Sequence, residues 1–278
     1  MRAEELLKSG DLDGALAALQ ERVRQSPEDA SLRVFLFQLL CVLGDWQRAI
    51  KQLKACATLD KAAAPMARMY REAIICEIYR EKVFRGEKAP LIFGEPASWI
   101  ADLIGALKLE VGRHAQAADA LRAQALEAAP AVPGTLDGVP FAWIADADPR
   151  LGPLLEIIVN GRYFWAPFST IHRIAIEPPV DLRDRVWMPA SVTWSNGGDA
   201  VCLIPTRYPG STGSRDPRHK LARATDWETS GDGVTAGLGQ RVLITESAEV
   251  ALMDLRLLVI GDPPAVADAP DTMVANHG

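Results

Sequence analysis

The 278-residue chain has little of what marks several large functional classes. Its four cysteines are Cys41, Cys56, Cys76 and Cys202, and none forms a C-x-x-C pair. The first three fall inside helical patterns, so they read as small apolar core residues, which disfavours both disulfide and metal chemistry. Histidine is as scarce. His114, His172, His219 and His277 include no pair at the i, i+4 spacing that sets two ligands on one helix face. No apolar run approaches the ~20 residues that a bilayer-crossing helix needs. The first residues, MRAEELLKSGDLDGAL, are charged and amphipathic with no apolar signal-peptide core, so a cytoplasmic chain is expected. Positive charge is not in excess: the net charge of −6 argues against a phosphate-backbone partner.

What the chain does have is the composition of a globular protein, 49% hydrophobic and 24% charged. Its length allows one large domain or two smaller ones.

The first half repeats itself. Gly10-Asp-Leu-Asp-Gly-Ala15 and Gly44-Asp-Trp-Gln-Arg-Ala49 begin 34 residues apart, the length of a tetratricopeptide unit. Leu16 and Leu19 fall in register with Ile50 and Leu53, and Gly112, Ala117 and Leu121 echo the pattern two periods later. A glycine ends the first helix of each unit, an apolar residue two positions on fills the joint, and a small alanine lets the second helix approach closely. The intervening unit is degenerate, with Ile78 at the glycine position. Leu32, Leu36, Leu39, Leu40 and Leu43 follow helical spacing from a start near Pro27-Glu28-Asp29. Further helices are predicted over 66–84, 97–111 and 114–128. Such units stack into a curved surface that commonly grips peptides.

After Ala131-Val132-Pro133-Gly134 the period changes. Leu154–Val159, Asn160-Gly161 and Arg162–Trp165 predict a tight β-hairpin. A second hairpin is predicted over 186–208 around Ser195–Asp199, and a third pairs 240–245 with 250–259. The fold class expected is therefore α+β and multi-domain. A tetratricopeptide-like helical superhelix at 1–132 precedes a small, mostly antiparallel β domain at 133–262, and 263–278 is expected to be a disordered tail.

Three strings in order carry a family resemblance. They are Asp148-Pro-Arg-Leu-Gly-Pro-Leu-Leu-Glu-Ile-Ile-Val-Asn-Gly-Arg-Tyr-Phe-Trp165, Glu177-Pro-Pro-Val-Asp-Leu-Arg-Asp-Arg-Val-Trp-Met-Pro189 and Leu203-Ile-Pro-Thr-Arg-Tyr-Pro-Gly-Ser211. With the Trp227 region and the last hairpin, the chain resembles the ImpE family, also called TagJ or SciE. That resemblance implies an accessory cytoplasmic component of the bacterial type VI secretion system. It implies binding to the small contractile-sheath subunit near its N-terminal helix, and a link to the ClpV recycling ATPase. It brings no established catalytic residue and no cofactor.

The residues themselves offer Tyr163, Trp165, Arg183, Asp184, Trp187, Arg207 and Tyr208 as candidate protein-binding positions. Strand alternation puts some of the aromatics in the core, while Trp and Tyr are also favoured at binding hot spots. Arg183 and Asp184 should lie at the same end of the second hairpin as Arg207 and Tyr208, in a structural or a binding cluster. The competing enzyme reading is a hydrolase in the second half. Ser195, with His172 or His219 and Asp199, lacks the G-x-S-x-G elbow of an exposed nucleophile. The glycine-rich Gly231–Gly239 run neither follows a strand nor opens a helix, so it reads as a mobile loop and not as a phosphate cradle. A third reading is a scaffold with no helix groove.

Overall fold

The computed structural model describes residues 2–229 and 235–261. Seven helices come first: α1 (Ala3–Ser9), α2 (Leu12–Gln25), α3 (Ala30–Leu43), α4 (Trp46–Leu59), α5 (Ala64–Phe84), α6 (Ser98–Val111) and α7 (Ala115–Ala128). The repeat is legible in their ends. Gly10 and Gly44 both take left-handed φ, +86° and +77°, closing α1 and α3. The aspartates that follow, Asp11 and Asp45, accept the N–H groups of Gly14 and Arg48 and so cap α2 and α4. Leu12, Trp46, Ala15 and Ala49 are buried in the joints as their spacing requires. Gly112 departs from the pattern: its φ is −73°, and Arg113 carries the positive φ instead.

The stack stops earlier than the sequence suggests. After α5 the chain leaves the helices to form β1 (Leu91–Ile92), then returns as α6 and α7, which pack chiefly on each other. Because β1 pairs with a strand of the second half, a cut at residue 132 separates secondary-structure types but not the packing.

The remaining strands, in chain order, are β2 (Gly134–Leu136), β3 (Val139–Phe141), β4 (Ile144–Asp146), β5 (Leu154–Val159), β6 (Arg162–Pro167) and β7 (Ile171–Ala175). They continue as β8 (Trp187–Trp194), β9 (Asp199–Pro205), β10 (Thr225–Thr229), β11 (Thr235–Gly239), β12 (Val242–Thr245), β13 (Glu249–Ala251) and β14 (Leu257–Ile260), with the short helix α8 (Pro217–Lys220) before β10. Eight of them join β1 in one nine-stranded sheet in the order β1-β6-β5-β9-β8-β7-β14-β2-β3, antiparallel except for the β1–β6 pair. The first two predicted hairpins are present as β5–β6 and β8–β9. The third is corrected. Residues 249–251 pair with β12, but 257–260 cross to the large sheet between β7 and β2, so 250–259 is not one strand. The glycine-rich run is also corrected at 235–239, which is β11 paired with β10. Residues 230–234 and the expected tail at 263–278 lie outside the described residues.

Alternation gives the large sheet two different faces. On one face Leu154, Ile158, Tyr163, Trp165, Trp187 and Leu203 share a single core with helices α1–α7. On the other, Leu155, Ile157, Met188, Val192 and Ile204 close a second core with Ile144, Leu243 and Leu252. The two halves of the chain thus fold around a common layer.

Candidate protein-binding site

The seven predicted residues converge, but in the seam between helices and sheet. Tyr163, Trp165, Asp184, Trp187, Arg207 and Tyr208 are all buried, and only Arg183 is partly exposed. Of the two readings the sequence leaves open for the aromatics, core or hot spot, Tyr163, Trp165 and Trp187 take the core, and Tyr208 is buried with them. A large apolar ring beneath the first repeats is worth more as core than as surface. Trp187 lies against Trp46 and Tyr70, with ring centroids 6.2 and 5.8 Å away, and donates its Nε1–H to Glu77 at 3.1 Å. The predicted clustering at one hairpin end does hold, through Thr206, whose hydroxyl donates to the Asp184 carbonyl at 2.7 Å.

Beneath Trp187 runs an ion network that the sequence did not reveal. Arg80 of α5 grips both oxygens of Glu156 at 2.6 and 2.7 Å and donates to the Arg207 carbonyl at 2.8 Å. Arg241, fully buried, pairs with Glu156 and with Asp146, and donates to the Pro205 carbonyl at 3.0 Å. Tyr163 donates to Glu156, Trp165 donates to the Tyr163 hydroxyl at 2.6 Å, and Tyr208 donates to Asp146 at 2.9 Å. Burial would push the Glu156 carboxyl up, but Arg80 and then Arg241 overcome it and hold it down at about 2. Asp146 has the opposite balance: burial outweighs Arg241 and pushes it up to about 6. The space left between Trp46, Arg80 and Arg207 is only about 20 Å³, room for roughly one water.

Two arginines of the second half cap helices of the first. Arg207 donates to the carbonyls of Val42 and Cys41 at 2.7 and 3.2 Å, and Arg223 donates to that of Lys8 at 3.1 Å. These carbonyls end α3 and α1, where a helix dipole favours a cation. Gly44 sits so close to the second half that a Cβ there would meet Thr212 at 2.8 Å.

The hydrolase candidates do not assemble as Ser195, His172 or His219, and Asp199. Asp199 accepts from Thr193, and His172 Nδ1 lies 3.1 Å from the Ile260 carbonyl. A different chain does exist: His219 Nδ1 is 2.8 Å from Ser214 Oγ, and its Nε2 is 2.8 Å from Asp226. Asp226 is 59% exposed, and none of the three lines a hollow described in this section. Asp216, His219 and Asp226 also bring possible ligand atoms within 4.8 Å of one another. The Arg218 guanidinium already engages Asp216 Oδ2 and the Arg218 N–H engages Oδ1, so a cation would have to compete with both. His114 is the N-cap residue of α7, and His277 lies outside the described residues. No helix among the described residues is long and apolar enough to cross a membrane.

Larger hollows are present among the described residues. One of about 360 Å³ is lined by Leu126, Pro130, Trp143, Ile144 and Gly152. Two others, about 300 and 220 Å³, meet at Pro189 and Val201 on the helix-side face of the large sheet.

Residues 138–259 match the ImpE protein family, and residues 6–68 match a tetratricopeptide repeat family. Over 258 residues the chain is 53% identical to the type VI secretion system accessory component TagJ of Pseudomonas aeruginosa, spanning 93% of this chain and 90% of that protein. The chain belongs to the ImpE family. Its fold also matches the crystal structure of protein VPA1032 from Vibrio parahaemolyticus, with a TM-score of 0.85 at 27% identity over 94% of this chain and 98% of the other. In this ImpE protein, Asp146, Glu156, Arg207 and Arg241 of the seam all fall inside the ImpE match. Arg80, which reaches Glu156 and the Arg207 carbonyl, and Glu77 beside it fall in neither matched segment. Charges so far apart in sequence carry no spacing signal, which is why the network escaped the sequence reading. A single hint remained: Glu156 stands inside an otherwise apolar strand, where an unpaired carboxylate would be costly.

Proposed function

We propose that this protein is a non-enzymatic adaptor of a bacterial type VI secretion system that works in the cytoplasm. It grips the N-terminal helix of the small contractile-sheath subunit and thereby brings sheath to the ClpV-type recycling ATPase. The observation that carries this reading is the 53% identity, across nearly the whole of both chains, to a protein named as an accessory component of that system. The tetratricopeptide match and the apolar hollow beside α5 support a binding role. The test is co-purification with the small sheath subunit, intact and lacking its N-terminal helix. Capture of the intact subunit alone is expected, and equal capture of both would sink the proposal. The hydrolase reading has one observation in its favour, the Ser214–His219–Asp226 chain. Under the adaptor reading Ser214→Ala leaves sheath capture unchanged, whereas a dependence of function on Ser214 would favour the hydrolase.

A further inference from the structure

The helix-side face of the large sheet is only partly covered. Where Trp187, Leu203 and Ile158 lie on it, the helices share their core. Farther along the same two central strands, Pro189, Ser191 and Val201 carry nothing above them, and Val201 is 77% exposed. Ser191 pairs with Val201 and Pro189 with Leu203, so the open patch continues the covered one without a break in register.

This open face is a trough. Met69 and Glu72 of α5 form one wall beside Leu203 and Val201. The other wall is the 177–184 loop, which brings Glu177, Pro178 and a 90% exposed Val180 beside Pro189 and Val201. That loop is not a loose flap: the Asp184 carboxylate accepts the N–H groups of Val180 and Asp181 at 2.6 and 3.0 Å. Adjacent exposed apolar groups on a braced surface are the ordinary sign of a recognition site.

The geometry chooses the kind of guest. β8 is bonded to β7 and β9, and β9 to β5 and β8, and the stretches in the trough that lack a partner on one side are short, 187–190 on β8 and 199–201 on β9. Pro189 has no N–H to give and the unpaired stretch of β9 is only three residues long, so the trough offers an extended peptide little edge to add to. A guest must lay side chains onto the face from above, as α5 already does alongside. The charge of the rim chooses further. The carboxylates lining the two hollows are those of Glu72, Glu177 and Asp184, and no Lys or Arg lines either. Asp184 is committed to its loop, while Glu72 and Glu177, on opposite walls, form no ion pair among the described residues.

We infer that the trough between α5 and the 177–184 loop receives one amphipathic helix of a partner protein, with an apolar anchor in each hollow and Lys or Arg along its edges. This rests on the adaptor reading above and assigns it a surface. The tetratricopeptide stack then serves mainly to hold α5 as a wall, and the guest lies on the sheet. The hollow at Leu126 and Trp143 is not this site, and it serves as the control.

The probe is a fluorescent synthetic peptide of the small sheath subunit's N-terminal helix, titrated with the full chain and read by anisotropy. Val201→Asp is expected to weaken binding by at least tenfold, with Leu126→Asp within twofold of the parent and melting temperatures unchanged. Val180→Asp, in a loop and outside every strand, gives the same readout should Val201→Asp melt early. The double change Glu72→Lys with Glu177→Lys is expected to lose affinity, and a peptide with its edge Lys and Arg changed to Glu should recover it. A fold defect would not produce that exchange. Wild-type affinity in Val201→Asp and Val180→Asp, or an equal loss in Leu126→Asp, overturns the trough and leaves the adaptor reading standing. Failure of the parent protein to bind the peptide overturns both.

Discussion

One face of the large sheet is put to two different uses along the same pair of strands. At Trp187 and Leu203 it is sealed by the helices and backed by a network of buried ions. At Pro189 and Val201 it is bare and apolar. The sealed part cannot slide or part without taking Arg80 away from Glu156 and leaving a buried charge short of its partner, which is far more costly than losing apolar contact. The open part can gain or lose a guest with no such penalty. Buried ions need not add net stability to a fold, but here they fix how the helices sit on the sheet, and so where the wall of the trough stands. Rigidity on one side is what gives the other a defined shape.

Breaking the sealed side should have the largest effect. Trp187→Ala removes a fully buried ring from between Trp46 and Tyr70 and leaves a Glu77 oxygen without its donor. A loss of ~3–5 kcal/mol is expected for such a truncation. Because the ring belongs to a core shared by both halves, far-ultraviolet circular dichroism and tryptophan fluorescence should report one coincident urea transition in the parent protein. Two separated transitions would show that the halves are independent after all.

The ion network should announce itself through pH. Glu156 is held down at about 2 by Arg80 and Arg241, so its contribution is complete above the ordinary glutamate range and is lost as pH falls from about 4.5 toward 2. Asp146, raised to about 6, acts in the other direction: stability declines as pH climbs from about 4 through 6, where the unfolded chain ionises first. Each limb amounts to roughly 3 kcal/mol at ~1.4 kcal/mol per pH unit of displacement. Glu156→Gln should flatten the acid limb and Asp146→Asn the upper one, read from denaturation midpoints between pH 2.5 and 7. An unchanged acid limb in Glu156→Gln would mean that other carboxylates set acid stability.

Next in size is Gly44→Ala, which attacks the joint between the second repeat and the β region. It forces a side chain into a left-handed φ of +77° and a Cβ to within 2.8 Å of Thr212. A cost of ~2 kcal/mol follows from the backbone term and the contact together. Gly112→Ala, at a φ of −73°, should cost less than half as much, although both glycines occupy the same position of the repeat. Equal losses would show that the positive φ is not what the repeat glycine provides.

Local signals were the legible ones. The Gly10 and Gly44 turns, the Asn160-Gly161 hairpin and the α3 start at Asp29 are each written within a few residues. Strand β1 was not legible, because Leu91-Ile92 is two residues long and is a strand only through β6, more than seventy residues on. The same holds for 257–260, whose alternation with 250–256 suggests one strand although its partners are β7 and β2. Arg207 and Tyr208 lie with Asp184 at one hairpin end, as the register predicts, while Trp187 was a candidate only as an aromatic. Their burial was invisible, since it depends on Trp46, Tyr70 and Arg80 arriving from the other half of the chain.

The smallest expected effect lies on the open side and sharpens the comparison most. Val180 is 90% exposed, its N–H is held by Asp184, and its side chain only lines the rim of a hollow. Val180→Asp therefore removes almost no apolar area that folding had buried, and its added carboxylate faces water. Stability should stay within ~0.5 kcal/mol of the parent, the usual range for surface substitutions away from special backbone. Trp187 and Val180 would then stand at opposite ends of one face, one governing folding and the other leaving it untouched. A destabilisation above ~2 kcal/mol by Val180→Asp, measured by urea midpoint at pH 7, would place the 177–184 loop within the folding core and erase the distinction between the sealed and the open side.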